Sequence, residues 1–329
     1  MRVVVTGGAG FIGGNLCRRL LQTSDVTSVV VLDDLSTGRV GNIEGLDVEF
    51  VEGTVTEPAA LDRAFADADA VVHLAALGSV PRSVLDPVAS HIANTNGTLM
   101  VLEAARRHGN LHTIVASSSS VYGANPSLPK HEGLATRPMS PYAATKLATE
   151  AYALAWRHSY GLPVLAFRFF NVFGPLQPAG HAYAADIPSF IDAALRGQPL
   201  TVHGDGTQSR DFTYVDDIVE SIERLVPTIA QPDPDWNGAH PDPASSRAPH
   251  RLYNIGNNSP VELMHLVETM ENALGMKATK ILAPIETGDV PETYADVDAL
   301  TEAVNFRPAT PLATGVGRFI DWYRAYTNR

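Results

Sequence analysis

The sequence is poor in features that mark secreted, metal-binding and membrane-spanning proteins. It has one cysteine, Cys17, among 329 residues, which excludes an internal disulfide and predicts a small core residue in a reducing compartment. Its 11 histidines show no close spacing with the cysteine, so no metal site is expected. No apolar run is long enough to span a bilayer, and no signal peptide precedes the first predicted strand. We therefore expect a cytoplasmic protein without a membrane segment.

Positive charge is also scarce. The formal net charge is −12, which disfavours binding to nucleic acid or to an anionic membrane surface. With 45% hydrophobic residues, the chain can bury one large core and a smaller lobe. A site for an anionic ligand would have to concentrate basic residues locally.

A glycine-rich turn joins the first predicted strand, residues 2–6, to an amphipathic helix that starts near Phe11. Glycine suits such a turn because the backbone bends sharply, approaches a pyrophosphate closely and leaves helix N–H groups aimed at the phosphates. The glycines are Gly7, Gly10 and Gly13. The turn predicts a dinucleotide site, and a purely structural turn is the alternative.

The second predicted strand supports the dinucleotide interpretation. It ends at Asp33, where an acid that binds the adenosine ribose is expected. A carboxylate there would repel a 2'-phosphate, so Asp33 favours NAD over NADP. Arg39 slightly weakens that preference.

Predicted strands and helices alternate through the first half of the chain, which is typical of a doubly wound parallel sheet. After Gly174 the sequence is richer in proline and less regular. We therefore expect an α/β protein with a Rossmann domain over residues 1–174 and a smaller substrate-binding α/β lobe over 175–329, with some segments crossing back. The polar, proline-rich stretch 231–250 predicts an exposed insertion without assigned chemistry.

Tyr142 and Lys146 are four residues apart in the sequence, which places them on the same face of a predicted helix. A tyrosine in water has a pKa of roughly 10, and each unit of depression requires about 1.4 kcal/mol of preferential stabilisation of the phenolate. A neighbouring ammonium can supply that stabilisation. The pair therefore predicts an acid–base site, and the alternative is an ordinary amphipathic helix whose lysine reaches solvent.

The segments TGGAGFIG, HLAA, SSSSVYG and YAATK, together with Asp33, resemble the extended short-chain dehydrogenase/reductase family. The resemblance implies that Tyr142 is the catalytic tyrosine, that Lys146 supports it and anchors the nicotinamide ribose, and that Ser118 activates the substrate hydroxyl. It implies NAD as the cofactor. Beyond the glycines, Asp33, Tyr142 and Lys146, the implied cofactor contacts are Phe11, Ile12, Thr54, Val55, Leu74, Ala75, Ala76 and Asn94.

Later segments, RFFNVFGP, GDGTQSRDFTYVDD, YNIGNNSPVEL and GDVPETYAD, resemble the nucleotide-diphosphate-sugar epimerases, and the last two especially the UDP-glucuronate 4-epimerases. The resemblance implies a UDP-sugar substrate. Its implied contacts are Asn171 and Arg210 for the diphosphate, Asp289 for the uridine ribose and His203 for the uracil. Arg210 could instead pair with Asp211 or Asp216, and His203 could be an ordinary surface residue.

Ser119 and Ser120 follow Ser118 at positions where 4,6-dehydratases carry an Asp-Glu pair and UDP-glucuronate decarboxylases carry a glutamate. Elimination and decarboxylation would then lack their usual catalyst. Neutral hydroxyls suit hydrogen bonding to a sugar carboxylate, although a polar loop would explain them too.

Two features point towards a different sugar. The segment AALGSVPRS, residues 75–83, resembles the N-acetylhexosamine 4-epimerases and makes Arg82 a second candidate contact for an anion. Thr293 falls where a bulky tyrosine restricts some relatives to unacetylated sugars, so its small side chain leaves room for an acetamido group.

Together these features predict NAD-dependent 4-epimerisation of a UDP-sugar through a 4-keto intermediate. UDP-glucuronate and UDP-galacturonate are the preferred pair, and UDP-N-acetylglucosamine or UDP-glucose is the alternative. A non-catalytic NAD(H)-sensing regulator is the rival from another class. Relatives pair through the helix near residues 98–108 and the Tyr142 helix, so we expect a homodimer. Its predicted apolar contact comprises Leu99, Val101, Leu102, Leu147, Ala151 and Leu154, and burial against the parent lobe is the alternative for the same residues.

Overall fold

The computed structural model describes residues 1–178, 185–284 and 290–327. The strands are β1 (Arg2–Thr6), β2 (Ser28–Asp33), β3 (Val48–Glu52), β4 (Ala70–His73), β5 (His112–Ser118), β6 (Val164–Phe169), β7 (Val172–Phe173), β8 (Leu200–His203), β9 (Ser209–Asp211), β10 (Thr213–Tyr214), β11 (His250–Ile255), β12 (Pro260–Glu262), β13 (Lys280–Ala283) and β14 (Glu292–Thr293). The helices are α1 (Phe11–Leu20), α2 (Pro58–Phe65), α3 (Val80–Leu85), α4 (Pro87–His91), α5 (Gly97–Arg107), α6 (Pro141–Tyr160), α7 (Asp186–Leu195), α8 (Val215–Leu225), α9 (Leu263–Leu274), α10 (Asp298–Val304) and α11 (Leu312–Thr327). A π-helical turn, Ile92–Asn96, joins α4 to α5, and short 3-10 turns lie at Val40–Asn42 and Ser119–Val121.

The central sheet has seven parallel strands in the order β11-β6-β5-β4-β1-β2-β3. In β1, Val3 and Val5 belong to the apolar core on one face and Val4 to the core on the other. All three are fully buried. A parallel sheet covered on both faces requires such continuous apolar strands. The predicted doubly wound α/β fold is therefore confirmed.

The parallel direction of the strands brings their carboxyl ends to one edge of the sheet. Thr6, at the end of β1, lies opposite His73 at the end of β4. Ser118, at the end of β5, lies opposite Phe169 at the end of β6. The glycine turn, the segment after β4 and Ser118 consequently meet at the same edge, where ligands bind in this class of fold.

The later half of the chain forms small sheets over this edge and also returns to the central sheet. β9 pairs antiparallel with β12 and parallel with β14, and β8 pairs with β13. β11, however, is the strand next to β6 in the central sheet. α8 packs against α1, where Arg19 pairs with Glu223. None of the helices within the described ranges has both the length and the apolar character needed to cross a bilayer.

The stretch 231–250 is largely exposed and lies along β11, the edge strand of the central sheet. The carbonyl of Ala244 accepts a hydrogen bond of 3.0 Å from the N–H of Leu252. Ser245 donates to the carboxylate of Asp233 at 2.7 Å. The insertion thereby occupies backbone groups that an uncovered edge strand would offer to another chain.

For two residues of the predicted dimer contact, the structure supports the alternative of burial within the protomer. Val101 and Leu102 of α5 are fully buried in the core of the protomer, because α5 turns this face towards the central sheet. Large apolar residues are exposed on the neighbouring α3, α4, π-helical turn and α6 instead. They are Val84, Leu85, Val88, Ile92 and Leu154.

We propose that this exposed apolar surface pairs two copies of the chain, since burial of such a patch stabilises association. Val88 is 65% exposed, and Val88→Glu should convert the dimer to a monomer in sedimentation velocity. Leu282→Glu is the matched control, because Leu282 is 63% exposed on β13, far along the chain in the other lobe. A wild-type protein that sediments as a monomer at micromolar concentration would contradict the proposal.

Glu271 of α9 anchors the start of the segment that leads into β13. Its carboxylate accepts hydrogen bonds from Lys277 at 2.7 Å, Lys280 at 2.6 Å and the N–H of Ala278 at 3.0 Å. Burial raises the pKa of Glu271, but these hydrogen bonds outweigh burial and lower it from 4.5 to about 2. A depressed carboxylate pKa stabilises the fold above the unfolded-state pKa and ceases to do so as pH falls through the folded-state pKa.

Glu271→Gln should therefore lower the Tm at pH 7, by roughly 1–3 °C for a chain of this size. The difference from wild type should shrink below pH 4.5 and disappear near pH 2. Glu268→Gln is the control, since Glu268 is on the same helix with a 64% exposed side chain. A Tm difference that stays constant between pH 7 and pH 3 would show that the carboxylate charge is not its source.

Candidate active site

A cavity of about 930 Å³ lies at the carboxyl edge of the central sheet, bounded also by segments of the later lobe. Its volume is in the range typical of sites for small-molecule ligands. The sequence-predicted residues that line it are Gly7, Gly10, Phe11, Ile12, Gly13, Asp33, Thr54, Val55, Leu74, Ala75, Ala76, Arg82, Ser118, Ser119, Ser120, Tyr142, Lys146, Asn171, His203 and Arg210. The fold thus brings together residues that are distant in the sequence.

Two predicted site residues are not among the described residues of this wall. Asn94 is 1% exposed, and its side chain donates to Thr145 Oγ1 at 3.0 Å and accepts from the N–H of Leu77 at 2.8 Å. It therefore lies behind the wall and joins the segment after β4 to α6, which corrects its prediction as a direct cofactor contact. Asp289 lies outside the described residues.

The glycine turn fits a pyrophosphate sterically. Gly7 has a φ of 72°, which side chains rarely tolerate. A Cβ at Gly13 would lie 2.2 Å from the carbonyl oxygen of Gly7, so only glycine permits this approach of α1 to the turn. Gly10 precedes α1 without any side-chain cap. The first N–H groups of α1 consequently remain available for an anion.

Asp33 is held at the end of β2 with one oxygen accepting from the N–H of Leu35 at 2.8 Å and the other from Ala9 at 3.0 Å. Burial raises its pKa, and these backbone hydrogen bonds act in the opposite direction. Arg39 turns away from this carboxylate: it hydrogen bonds to the hydroxyl of Tyr326, with its guanidinium 5.8 Å from that ring centre. Asp33 therefore faces the cavity without a neighbouring arginine, as a site for NAD requires.

Tyr142, Lys146 and Ser118 converge in the cavity wall. Pro141 begins α6, and the Ser140 hydroxyl caps the helix by accepting from the N–H of Ala143 at 3.1 Å. Lys146 Nζ donates to the carbonyl of Ala116 at 2.8 Å and lies 5.9 Å from the ring centre of Tyr142. The Ser118 hydroxyl lies close enough to the Tyr142 phenol to lower its pKa. A proton on a substrate hydroxyl could therefore pass to the phenol, with Ser118 beside it.

Burial dominates the titration of this group. It raises the pKa of Tyr142, and the nearby Ser118 hydroxyl lowers that pKa by less. It lowers the pKa of Lys146 from 10.5 to about 8. The predicted depression of the tyrosine pKa is therefore not produced by the protein's own groups, because desolvation disfavours the charged form of each partner. Additional positive charge in the site is needed to make the phenolate.

Ser119 and Ser120 differ in their surroundings although both line the cavity. The Ser120 hydroxyl donates to Ser118 Oγ at 2.9 Å, and the Ser120 N–H donates to the same oxygen at 3.2 Å. The Ser119 hydroxyl makes no hydrogen bond with another residue of the described chain. Ser120 therefore supports Ser118, and Ser119 is the serine left to bind a ligand.

A buried ion pair that the sequence analysis missed fixes α6 against the central sheet. Glu150 accepts from Nε and Nη2 of Arg168 at 2.9 and 2.7 Å and from the hydroxyl of Ser117. The Arg168 guanidinium lies 4.6 Å from the ring centre of Tyr122. Glu150 is one helical turn beyond Lys146 and therefore lies on the same side of α6.

Ser83 provides a second unpredicted support. It is fully buried, and its Oγ accepts the N–H of Tyr142 at 3.0 Å. This contact ties α3, which carries Arg82, to the first turn of α6. Arg82 and the acid–base group are therefore parts of one connected wall.

Arg210 lies in the cavity wall on β9, and its Nη1 donates to the carbonyls of Ser209 at 2.7 Å and Pro291 at 3.2 Å. Asp211 accepts the N–H of Ala295 at 2.9 Å. Asp216 faces Arg318 at 3.4 Å. In the ranges that the structure describes, Arg210 forms no ion pair with either aspartate, so the predicted alternative role is wrong.

The remaining predicted contacts of the later lobe also reach the cavity. Asn171 follows β6 with a φ of 28° and donates to the carbonyl of Asp211 at 3.2 Å. His203 ends β8, and its Nδ1 lies 3.1 Å from the carbonyl of Pro284. Thr293 is 8% exposed and lines the same cavity. A long ligand could therefore contact the glycine turn, α6 and the later lobe at once.

Comparisons with known proteins show the family to which the chain belongs. Residues 3–237 match the family described as the NAD dependent epimerase/dehydratase family. The chain is 41% identical to Protein CapI of Staphylococcus aureus, with 99% of each chain covered. It is 38% identical to the "Probable UDP-glucuronate 4-epimerase" of Rhizobium meliloti, with 98% of this chain and 97% of the relative covered.

A solved structure has the same fold as this chain. The UDP-N-acetylglucosamine 4-epimerase of Methanobrevibacter ruminantium M1, in complex with UDP-N-acetylmuramic acid, is 32% identical and superimposes with a TM-score of 0.87. The match covers 99% of this chain and 98% of that one. The chain thus belongs to the NAD-dependent epimerase/dehydratase family of extended short-chain dehydrogenases/reductases, and its cofactor is NAD.

Proposed function

We propose that the protein catalyses the NAD-dependent 4-epimerisation of a UDP-sugar, with UDP-glucuronate and UDP-galacturonate as the preferred pair. The observation that carries the proposal is the convergence of Ser118, Tyr142 and Lys146 in one cavity with hydroxyls, and no acid, at positions 119 and 120. The relative from Rhizobium meliloti supports the glucuronate pair.

Tyr142, Ser118 and Lys146 have separate roles in the proposed reaction. Tyr142 takes the proton of the 4-hydroxyl, Ser118 orients that hydroxyl, and the Lys146 ammonium favours the phenolate electrostatically. The glycine turn and Asp33 would hold NAD, which supplies a reversible hydride acceptor for C4 when bound. The 4-ketone would have to present its opposite face before C4 regains the hydride and Tyr142 returns the proton to the oxygen, so that the alcohol is regenerated with inverted configuration and no net redox change.

This cycle requires a firm hold on the nucleotide and a loose hold on the sugar, because two sugar orientations must have comparable energy. Arg210 offers a charge-assisted contact to a phosphate and Asn171 an uncharged donor. Both residues line the cavity. Hydrogen bonding to the diphosphate would leave the sugar free to rotate about the bonds that join it to the diphosphate.

Another UDP-sugar is a second candidate within the same class. Thr293 is small and lines the cavity, which leaves room for an acetamido group, and the Methanobrevibacter neighbour is a UDP-N-acetylglucosamine 4-epimerase. A non-catalytic NAD(H)-sensing regulator is disfavoured, because a binding module has no use for the assembled Ser118–Tyr142–Lys146 group.

The decisive experiment is to incubate the purified protein separately with UDP-glucuronate, UDP-N-acetylglucosamine and UDP-glucose and to read the configuration at C4 by NMR. We expect fastest inversion of UDP-glucuronate without added NAD. Inversion of UDP-N-acetylglucosamine alone would establish the second candidate. Stoichiometric consumption of external NAD with accumulation of NADH would identify a net dehydrogenase instead.

A further inference from the structure

Lys130 is a buried cation in the cavity wall that the acid–base chemistry does not use. The residue is only 3% exposed. Its ammonium donates to the backbone carbonyl of Asn125. It forms no ion pair with any carboxylate in the ranges that the structure describes.

An ammonium in this setting has unused capacity to bind an anion. It carries three N–H donors, and a backbone carbonyl compensates its charge only in part. Burial of a charge is costly unless the charge is paired, and here burial lowers the pKa of Lys130. A negatively charged ligand group in the cavity would supply the missing partner.

The backbone holds Lys130 firmly at this position. Its N–H donates to the carbonyl of Tyr294 at 2.9 Å. Its carbonyl accepts from the N–H of Asp296 at 2.8 Å and from Nδ2 of Asn254 at 2.8 Å. Lys130 is thus anchored next to β14, which contributes Thr293 to the cavity. The lysine can therefore act as a fixed contact without a large ordering cost on binding.

The bond to Asn125 also connects Lys130 with the segment that begins at Ser118. That segment contains Ser119 and Ser120, the hydroxyls next to the acid–base group. The diphosphate is assigned to Arg210 and Asn171 on other elements. The ammonium is therefore best placed to meet a substituent of the sugar.

We infer that Lys130 is a specificity-determining residue that pairs with a carboxylate on the sugar of the substrate. The inference rests on the proposed epimerase function and deepens it, because it assigns the preference for acidic over neutral sugars to one charge. A neutral hexose would leave the ammonium buried without a counter-ion, whereas a uronate would pair with it.

Binding to the Tyr142→Phe protein tests the inference without turnover. Calorimetry should compare UDP-glucuronate, UDP-glucose and UDP alone in that background, with and without Lys130→Gln, which keeps a donor for Asn125 but removes the charge. We expect Lys130→Gln to raise the Kd for UDP-glucuronate by at least about tenfold, the scale of one charged hydrogen bond. UDP-glucose and UDP should change by less than about twofold. Lys130→Arg should retain the preference.

The other outcomes overturn the inference in distinguishable ways. Equally weakened binding of UDP, UDP-glucuronate and UDP-glucose would place the ammonium at the diphosphate. Equal weakening of both sugars with a lower Tm and unchanged UDP binding would make Lys130 a structural tie for the loop. Lys130→Met, which preserves the length of the stem, repeats the measurement if Lys130→Gln folds poorly. If wild-type protein prefers UDP-glucuronate through Lys130 but does not invert it, the proposed function fails and the binding inference stands.

Discussion

Replacing Tyr142 by phenylalanine should lower kcat by about two to four decades, the usual scale for a positioned acid–base group. The phenol lies in the cavity beside the Ser118 hydroxyl, and the Lys146 ammonium is 5.9 Å from its ring centre. Phenylalanine retains the ring and its packing but cannot accept the proton of the 4-hydroxyl. NAD should still copurify with the variant, since the glycine turn and Asp33 are unchanged.

The measurement is single-turnover and steady-state epimerisation by NMR, with bound NAD quantified after denaturation. Tyr152→Phe is the matched control, because Tyr152 lies on the same helix but packs against Trp156 outside the cavity. It should turn over at close to the wild-type rate. Near-normal activity of Tyr142→Phe would remove Tyr142 from the mechanism. Loss of NAD from that variant would mean that its slow rate reports cofactor binding and not proton transfer.

The parts of the site that sequence reasoning located correctly depend on local pattern. The glycine turn and Asp33 lie at strand ends that apolar runs and glycine spacing identify. The cavity wall then follows from the rule that parallel strands present their carboxyl ends together. Lys146 and Tyr142 are one helical turn apart, so their proximity needs only the helix.

The parts that sequence reasoning missed depend on contacts between distant segments. Glu150 and Arg168 are 18 residues apart, and Ser83 contacts Tyr142 across 59 residues. No local periodicity in the sequence predicts such pairs. Asn94 was assigned to the cofactor, but folding uses both ends of its amide to join Leu77 to Thr145. The sequence gives the residue type of Asn94 but not the direction in which its side chain points.

Burial explains two further differences between the sequence-based expectations and the structure. Val101 and Leu102 are apolar residues on a helix, a pattern that suits either a core or an interface, and the structure places them in the core. The depressed tyrosine pKa is predicted from the neighbouring lysine and the oxidised nicotinamide ring, whereas burial in the cavity wall acts in the opposite direction on the charged forms of both residues. Fractional exposure is a property of the assembled fold, so neither result was accessible from spacing.

The second large effect concerns the serines after Ser118. If they bind the carboxylate of the sugar, Ser119→Ala/Ser120→Ala should lower kcat/KM for UDP-glucuronate by at least about tenfold. Each hydrogen bond to a charged group contributes about 1.5–3 kcal/mol, and roughly 1.4 kcal/mol corresponds to one decade in rate. Activity on a neutral UDP-hexose should fall much less.

The structure separates the two serines within this prediction. Ser120 donates to Ser118 Oγ at 2.9 Å, so Ser120→Ala should also disturb the acid–base group and reduce activity on every sugar. Ser119 lines the cavity without such a bond, so Ser119→Ala should carry the selective part of the loss. Ser127→Ala is the control, because Ser127 is an exposed serine on the same loop.

Glutamate at position 120 tests the same idea from the opposite side. Ser120→Glu should be worse for UDP-glucuronate than Ser120→Ala, because a second carboxylate repels the sugar carboxylate. Some decarboxylation could then accompany the loss of epimerisation, and NMR would detect the pentose product. Equal losses on acidic and neutral sugars in Ser119→Ala would show that this hydroxyl supports the loop. The preference for glucuronate would then have to come from the ammonium of Lys130, and the lysine and serine variants together would decide which donor selects the sugar.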